Sequence, residues 1–357
     1  MAEIEIAGRR IGAGHPCFII AEAGVNHNGS VELALRLVDA AAEAGADAVK
    51  FQTWITELLV SPEAELADYQ RANTGGDQSQ FAMLKALELS QDAFREIQAH
   101  CQRRGILFLS TPDEEQSADF LDSLGVPLLK VGSGELDNHH FLRHLAGKGR
   151  PIVLSTGMSE LGEVEAAVAA LGDAPFALLH CVSDYPAAAA DCNLRAMQTL
   201  AARFGCPVGF SDHTMGLHIA VAAVARGACI VEKHLTLDRG MPGPDHRCSL
   251  PPAEFRAMVA AIREAESALG DGVKRPTKSE QATREVVRKK LIAARDLSAG
   301  EILREADIDL RRSAGGLPAH ALDRVIGRRL KLHLAQGAPL EAAMLEEADR
   351  SGEIPSA

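Results

Sequence analysis

Reactive and hydrogen-bonding residues recur in this sequence at the ends of short apolar, β-branched runs. They are Glu22; Lys50 and Gln52; Ser110 and Thr111; Lys130 with Ser133 and Glu135; Ser155 and Thr156; His180 with Ser183 and Tyr185; Ser211, Asp212 and His213; and Glu232, Lys233 and His234. Unpaired charges at buried strand tips are costly, so eight such sets point to one shared site. Lys50 and Lys130, with Ser133, Ser155 and Ser211 nearby, make an anion site, because an ammonium is a compact charge suited to phosphate or carboxylate. The competing chemistry is a Schiff-base lysine, whose depressed pKa a second lysine could supply. His213 and His234 end successive runs, and two imidazoles on adjacent strand tips can share one divalent metal, with water and substrate oxygens filling the shell. Glu22 ends the first run, which neighbours the last in a closed ring, so it could orient a metal-bound water. The other eleven histidines, including His139 and His140, read as surface or helix residues. Residues 238–246 are rich in Gly and Pro, and that fixed path would let Asp245 reach inward to sugar hydroxyls.

These residues need strands to carry them. The apolar runs are 17–22, 47–52, 106–111, 128–133, 152–156, 177–181, 208–212 and 229–234, with helical patterns between them at 31–43, 91–104, 160–171 and 215–226. Strand then helix, eight times in about 250 residues, is the requirement of a (β/α)8 TIM barrel, whose chemistry sits at the C-terminal strand ends. A doubly wound sheet ranks second, and no GxGxxG follows the first strand. The longest stretch without a strand signal, 54–88, includes residues 73–77 and Ser79-Gln80 and reads as a lid or rim on the active-site face. Residues 270–280 are polar, with Gly and Pro, and read as a linker. Beyond them Leu297–Leu303 and Leu334–Leu340 are near copies, which suggests a compact β-rich module of two similar halves. The expected organisation is a barrel over 1–270, a linker over 271–286 and the module over 287–350.

Composition narrows the partners. A net charge of −12 argues against nucleic acid. Residues 1–273 carry a net −15 and residues 274–357 a net +3, so the charge also changes at the domain boundary. No apolar run is long enough to span a bilayer, and the acidic start lacks a signal-peptide pattern, which together imply a cytoplasmic protein and no membrane partner. The seven cysteines form no CxxC pair and read as small buried hydrophobes.

At full length the motifs IIAEAGVNHNG (19–29), DAVKFQT (47–53), FLSTP (108–112), LKVGSGE (129–135), IVLSTG (152–157), SDHT (211–214), VEKHLTLDR (231–239) and PGPDH (242–246) resemble the N-acetylneuraminate (sialic acid) synthase family. The tail resembles that family's antifreeze-like (SAF) domain. The resemblance implies a transferase that condenses phosphoenolpyruvate with an open-chain N-acetylated amino sugar, giving a nine-carbon 2-keto acid and phosphate with Mn²⁺ or Mg²⁺. It implies a homodimer in which the tail domain of one chain caps the barrel of the other. Carried over residue by residue, it assigns the metal to His213 and His234 and places Glu22 and Glu135 near the reacting carbons. Phosphoenolpyruvate falls to Lys50, Thr111, Lys130, Ser133, Ser155, Ser183 and Ser211, the sugar to Gln52, Tyr185 and Asp245, and the sugar's N-acetyl group to Arg312. Two departures stand out: Arg312-Ser313-Ala314 replaces the common Arg-Pro-Gly, with Arg311 adjacent as a substitute, and Ser183-Asp184 precedes Tyr185 where Asn is frequent. The first reading is N-acetylneuraminate synthase acting on N-acetylmannosamine. The alternative is N,N'-diacetyllegionaminate synthase, with the same chemistry on a 2,4-diacetamido-6-deoxy sugar. More distant are a Schiff-base pyruvate aldolase and a non-catalytic sugar-binding protein.

Overall fold

In a parallel strand successive side chains point to opposite faces, so a closed ring sorts each strand into residues for the lumen and residues for the surrounding helices. The computed structural model of the protein describes residues 3–75 and 78–347. A hairpin, β1 (Ile4–Ile6) and β2 (Arg9–Ile11), precedes eight parallel strands: β3 (Phe18–Gly24), β4 (Ala48–Thr53), β5 (Leu107–Pro112), β6 (Leu129–Val131), β7 (Ile152–Ser155), β8 (Phe176–Cys181), β9 (Val208–Asp212) and β10 (Ile230–His234). They run in the order β5-β4-β3-β10-β9-β8-β7-β6, and β5 lies beside β6, so the ring is nearly closed. This is the (β/α)8 barrel that the repeating pattern requires.

The outward set packs against helices. Ile19, Ala21, Val49, Phe51, Phe108, Leu129, Leu154, Leu178, Phe210 and Val231 are buried with the apolar faces of Val31–Ala44, Gln91–Arg104, Leu161–Leu171 and Pro252–Leu269. Ser30, Ser90 and Asn138 cap the helices that follow them by accepting a backbone N–H. The inward set is apolar only at the floor. There Ile20, Ala48, Leu109, Leu128, Val153, Leu179 and Ile230 meet Ile4, Ile6 and Ile11 of the hairpin, which plugs the lower end. Gly209 belongs to this set, and a Cβ on it would come within 2.3 Å of the Ile230 carbonyl oxygen.

The segment after β4 differs from the loop the sequence suggests. It holds the short helices Thr56–Leu59, Asp68–Thr74 and Gln80–Leu87, and Val25, Trp54, Leu66, Met83 and Leu87 form a small core of their own. Gly76 and Asp77, singled out in the sequence, lie outside the described residues, as do residues beyond Glu347.

The chain divides into two compact units between Asp271 and Gly272. The polar stretch read as a linker contains the helix Lys278–Val287, started by a box in which Thr277 and Glu280 bond each other's backbone N–H. Nothing in the composition of 270–280 signals that helix apart from this Thr-Lys-Ser-Glu start. In the second unit β11 (Lys289–Ala293) pairs antiparallel with β12 (Ile308–Arg312). The two near copies meet at Leu297 and Leu334, whose backbones exchange N–H···O bonds of 2.8 Å both ways. Gly300 and Gly337 hold the same left-handed conformation in the two copies, and Leu303 and Leu340 are buried in one core.

The hairpin plug yields a stability test. Ile6 is fully buried in the floor. Ile6→Ala should lower the unfolding free energy by about 2–4 kcal/mol through lost burial and the cavity left behind, read as a lower urea midpoint at unchanged slope.

Candidate active site

Two residues above the apolar floor, the same inward parity turns polar. Ile20 is followed by Glu22, Ala48 by Lys50 and Gln52, Leu109 by Thr111, Leu128 by Lys130, and Val153 by Ser155. Leu179 is followed by Cys181, Gly209 by Ser211, and Ile230 by Glu232 and His234. All of these except Gln52 are buried, and they line one cavity of about 420 Å³ at the C-terminal strand ends.

Register places the charges. Glu22 on β3 stands level with Lys50 on β4 and His234 on β10. Lys50 Nζ lies 2.7 Å from Glu22 Oε2, donates to Thr111 Oγ1 at 2.9 Å and stands 4.0 Å from Glu232 Oε2. Gln52 Nε2 donates to Glu22 Oε1 at 3.0 Å. Across the lumen Lys130 Nζ donates to Ser155 Oγ at 2.7 Å and lies 3.8 Å from Glu232 Oε1, which also accepts from Ser211 Oγ at 3.1 Å. Carboxylates and ammoniums thus alternate, Glu22–Lys50–Glu232–Lys130. Burial pushes the Glu22 carboxyl up to about 7 against the pull of Lys50. Burial acts on Glu232 in the same sense, but Lys130 and Lys50 overcome it and hold that carboxyl below its ordinary range. Lys130 is lowered by burial, whereas Glu22 and Glu232 more than offset burial at Lys50 and raise it.

Next to Lys130 is a cradle of hydroxyls. Ser133 Oγ accepts from Gly157 N at 3.0 Å and lies 3.2 Å from Cys181 Sγ. A Cβ on Gly157 would come within 2.3 Å of Ser183 Oγ and 2.8 Å of Ser133 Oγ, so only glycine leaves room between them.

The opposite wall is imidazole. His213 Nδ1 donates to the Val182 carbonyl at 2.5 Å, which leaves Nε2, 3.3 Å from Ser211 Oγ, with a free lone pair in the cavity. The His213 and His234 ring centres are 5.5 Å apart at a steep angle, within twice the ~3 Å that separates a ring centre from an ion held by its nitrogen. His234 Nδ1 is buried without a hydrogen-bond partner and lies 3.8 Å from Asp245 Oδ2. Burial lowers His213 to about 4, so its imidazole stays neutral, the form that ligates metals. Two neutral imidazoles, one with an orphaned nitrogen, fit a divalent cation whose remaining ligands come from water and substrate. Among the described residues no cluster of three or more His, Cys, Asp or Glu could hold one.

The rim is tied down by its own side chains. The Tyr185 ring packs at a tilt against His213, 4.2 Å between ring centres, and against Tyr69, 4.9 Å away. Asn28 Nδ2 donates to the Pro242 carbonyl at 2.9 Å, His246 bonds Asn28 and Thr236, and Asn73 Nδ2 donates to the Pro244 carbonyl at 2.6 Å. These latches hold the loop on which Asp245 faces the cavity, its carboxyl raised to about 6 by burial.

Most residues singled out in the sequence converge here: Glu22, Lys50, Gln52, Thr111, Lys130, Ser133, Ser155, Ser183, Tyr185, Ser211, His213, His234 and Asp245 all line the cavity. Glu135 does not. It lies on a 3₁₀ turn (Ser133–Glu135), accepts from Asn138 Nδ2 at 2.8 Å, and lines an adjacent groove that shares Asp113 with the cavity. Arg312 ends β12 in the second unit and is exposed, while Arg311 is ion-paired with Asp309. Parity also removes several strand-end residues from the lumen. Ser110 bonds Thr53 outside it, Asp212 pairs with Lys233, and His180 bonds the Cys192 carbonyl with its ring against Phe210. Nor are the remaining histidines all surface or helix residues, since His27 and His246 are fully buried in loops. Glu232 was named at its strand end but given no role, although the strand alternation singles it out, as it does Cys181. Tyr69, Met83 and Leu87 were missed, with only the unusual length of segment 54–88 as a hint, and Asp113, just past the end of β5, had no signal. Six of the seven cysteines are buried, as read from the sequence, but Cys181 lines the cavity.

Comparison with known proteins agrees with this arrangement. The NeuB family model matches residues 37–274, and the SAF domain model matches residues 288–346. An N,N'-diacetyllegionaminic acid synthase of Legionella pneumophila is 46% identical over 92% of this chain and 94% of its own. A second synthase of that name, from Campylobacter jejuni, is 44% identical over 87% of this chain and 94% of its own. The crystal structure of an N-acetylneuraminic acid (sialic acid) synthetase from Leptospira borgpetersenii in complex with citrate shares 37% identity, covers 80% of this chain and 95% of its own, and has a TM-score of 0.70. With these matches and a polar barrel mouth of this composition, the chain belongs to the NeuB family, as a sialic-acid-type synthase whose barrel is followed by a SAF domain.

Proposed function

We propose that the protein is an N,N'-diacetyllegionaminate synthase, which condenses phosphoenolpyruvate with an open-chain 2,4-diacetamido-6-deoxy sugar and releases phosphate. The carrying observation is the opposition, inside one cavity, of a lysine and hydroxyl cradle to a two-imidazole wall. The names of the Legionella pneumophila and Campylobacter jejuni relatives, at 46% and 44% identity, favour this sugar over N-acetylmannosamine, the first reading of the sequence.

In this reading Lys50, Lys130, Thr111, Ser133, Ser155, Ser183 and Ser211 hold the carboxylate and phosphate of phosphoenolpyruvate. Ammonium and hydroxyl donors are the groups that stabilise such anions in a water-poor lumen. His213 and His234 would hold Mn²⁺ or Mg²⁺, which supplies Lewis-acid polarisation of the sugar aldehyde. Gln52, Tyr185 and Asp245 orient the sugar above the cradle. The enol C3 attacks the aldehyde carbon, water adds at C2, and phosphate leaves from C2. Glu22, held between Lys50 and Gln52, takes the proton of that water. Glu135 stands in the adjacent groove, beside Asp113 of the cavity. Arg312 would contact the sugar's N-acetyl group from a partner copy's SAF domain.

Three measurements test this. Turnover followed by phosphate release should be faster with the diacetamido-deoxy sugar than with N-acetylmannosamine, and the reverse order would return the assignment to N-acetylneuraminate synthesis. Because burial raises the Glu22 carboxyl to about 7, its ionised, proton-accepting form is lost as pH falls through that value. The quantity kcat/KM should therefore drop on the acid side of about pH 7, and Glu22→Gln should cost about 10²–10⁴-fold in kcat. An acid limb confined below pH 5 would remove Glu22 as the base. Finally, His213→Ala chains mixed with Arg312→Ala chains, each inactive alone, should recover activity if the SAF domain serves a partner's barrel, whereas no recovery places closure within one chain.

A further inference from the structure

The lumen accounts for the inward residues of β9 and β10 but leaves a charged pair on their outer side. Asp212 and Lys233 are register partners on adjacent strands, each next in sequence to one of the two imidazoles. Lys233 Nζ lies 3.0 Å from Asp212 Oδ2, and both side chains are completely buried. Asp212 Oδ1 accepts from Thr214 N at 2.9 Å and Thr214 Oγ1 at 2.7 Å, and Lys233 Nζ donates to the Thr214 carbonyl. The pair therefore ties the exit of β9, on both sides of His213, to the end of β10 that carries His234.

Core stability does not call for these charges. The outward positions below them on the same strands, Phe210 and Val231, are apolar and fully packed. A buried ion pair is commonly no more stabilising than apolar residues of like volume, whereas a fixed geometry between two strand ends is something that apolar packing specifies poorly.

We propose that Asp212 and Lys233 are positioning residues, which set the separation and orientation of His213 and His234 so that both imidazoles grip one divalent cation. The inference rests on the two-imidazole metal site of the proposed function. Neither residue touches substrate. They act by holding residues 212–214 against residue 233, and the bond from His213 Nδ1 to the Val182 carbonyl then sets the ring's rotation.

The test uses the full chain and Mn²⁺ alone as the probe. The double variant Asp212→Asn with Lys233→Met removes both charges while keeping side-chain volume and the oxygen that serves Thr214. Its thermal midpoint should stay within a few degrees of the parent, its Mn²⁺ affinity by EPR titration should weaken at least tenfold, and kcat should fall with little change in KM for phosphoenolpyruvate. Pulsed EPR should count two imidazole nitrogens on Mn²⁺ in the parent and fewer in the variant. Parent-like Mn²⁺ affinity and nitrogen count in the double variant would overturn the proposal. If the double variant does not fold, Asp212→Asn alone serves, with the same spectral readout and the same overturning result. Mn²⁺ binding that persists unchanged in a His213→Ala, His234→Ala protein would overturn the metal reading itself, a failure separable from that of the positioning role.

Discussion

Four buried charges in one lumen, Glu22, Lys50, Glu232 and Lys130, constrain everything around them. Each alone would be intolerable away from water, and together they persist because every carboxylate faces an ammonium, Gln52 and Ser211 donate to the carboxylates, and Thr111 accepts from Lys50. Such an arrangement tolerates little movement, since the removal of one member strands its neighbour. The nearly closed sheet supplies that rigidity. Its floor is sealed by Ile4, Ile6 and Ile11, and its outer face is held by helices, so the charged layer rests on packed apolar side chains. Burial works against the negative charge of Glu22, and Lys50 and Lys130 stand in the cavity wall, so an anionic substrate meets two ammonium groups inside a body whose overall charge is strongly negative.

The fold was legible because its signal is periodic. Eight apolar runs with polar ends, separated by amphipathic stretches, require the barrel, and β9 (Val208–Asp212) and the helix Gln91–Arg104 fall where the pattern puts them. Much of the site was legible for the same reason, since a barrel fixes where strand ends point. What the runs did not resolve was parity. Ser211, Asp212 and His213 read as one reactive triplet, yet only the first and third reach the cavity, and Asp212 turns to Lys233 outside. A strict count by twos from the apolar floor residue Ile230 selects Glu232 and His234 and rejects Lys233.

Other misreadings have local physical causes. The strand at Leu129 ends at Val131, earlier than its apolar run, and the chain turns through a 3₁₀ element that carries Glu135 out of the cavity. His27 and His246 read as surface or helix residues, but both are buried in loops, where one accepts from the Gly29 backbone N–H and the other latches the loop of Asp245. The helix Lys278–Val287 has no buried residue, so it leaves no apolar stripe for sequence reading to detect. In the second unit the paired copies around Leu297 and Leu334 were legible because a repeat announces itself without any knowledge of its partner.

The two regions of the mouth obey different rules, and this bears on why the sugar is harder to read than the chemistry. The charged quartet, the hydroxyl cradle and the imidazoles are borne on or directly beside strands, where ladder hydrogen bonds set position within narrow limits. The far wall comes from connecting segments: Tyr69 and Met83 from the short helices after β4, Tyr185 from the loop after β8, and Asp245 from the loop after β10. Such segments accept substitution and insertion more readily than strands do. A barrel of this kind can keep one reaction at its centre while its rim is recut for sugars that differ at carbons remote from the new bond. The latches from Asn28, Asn73 and His246 tie that rim to itself and to the end of β3. Changes in sugar preference are therefore to be sought among the side chains that these latches present to the cavity, because the strand-borne groups beneath them are already committed to holding charge.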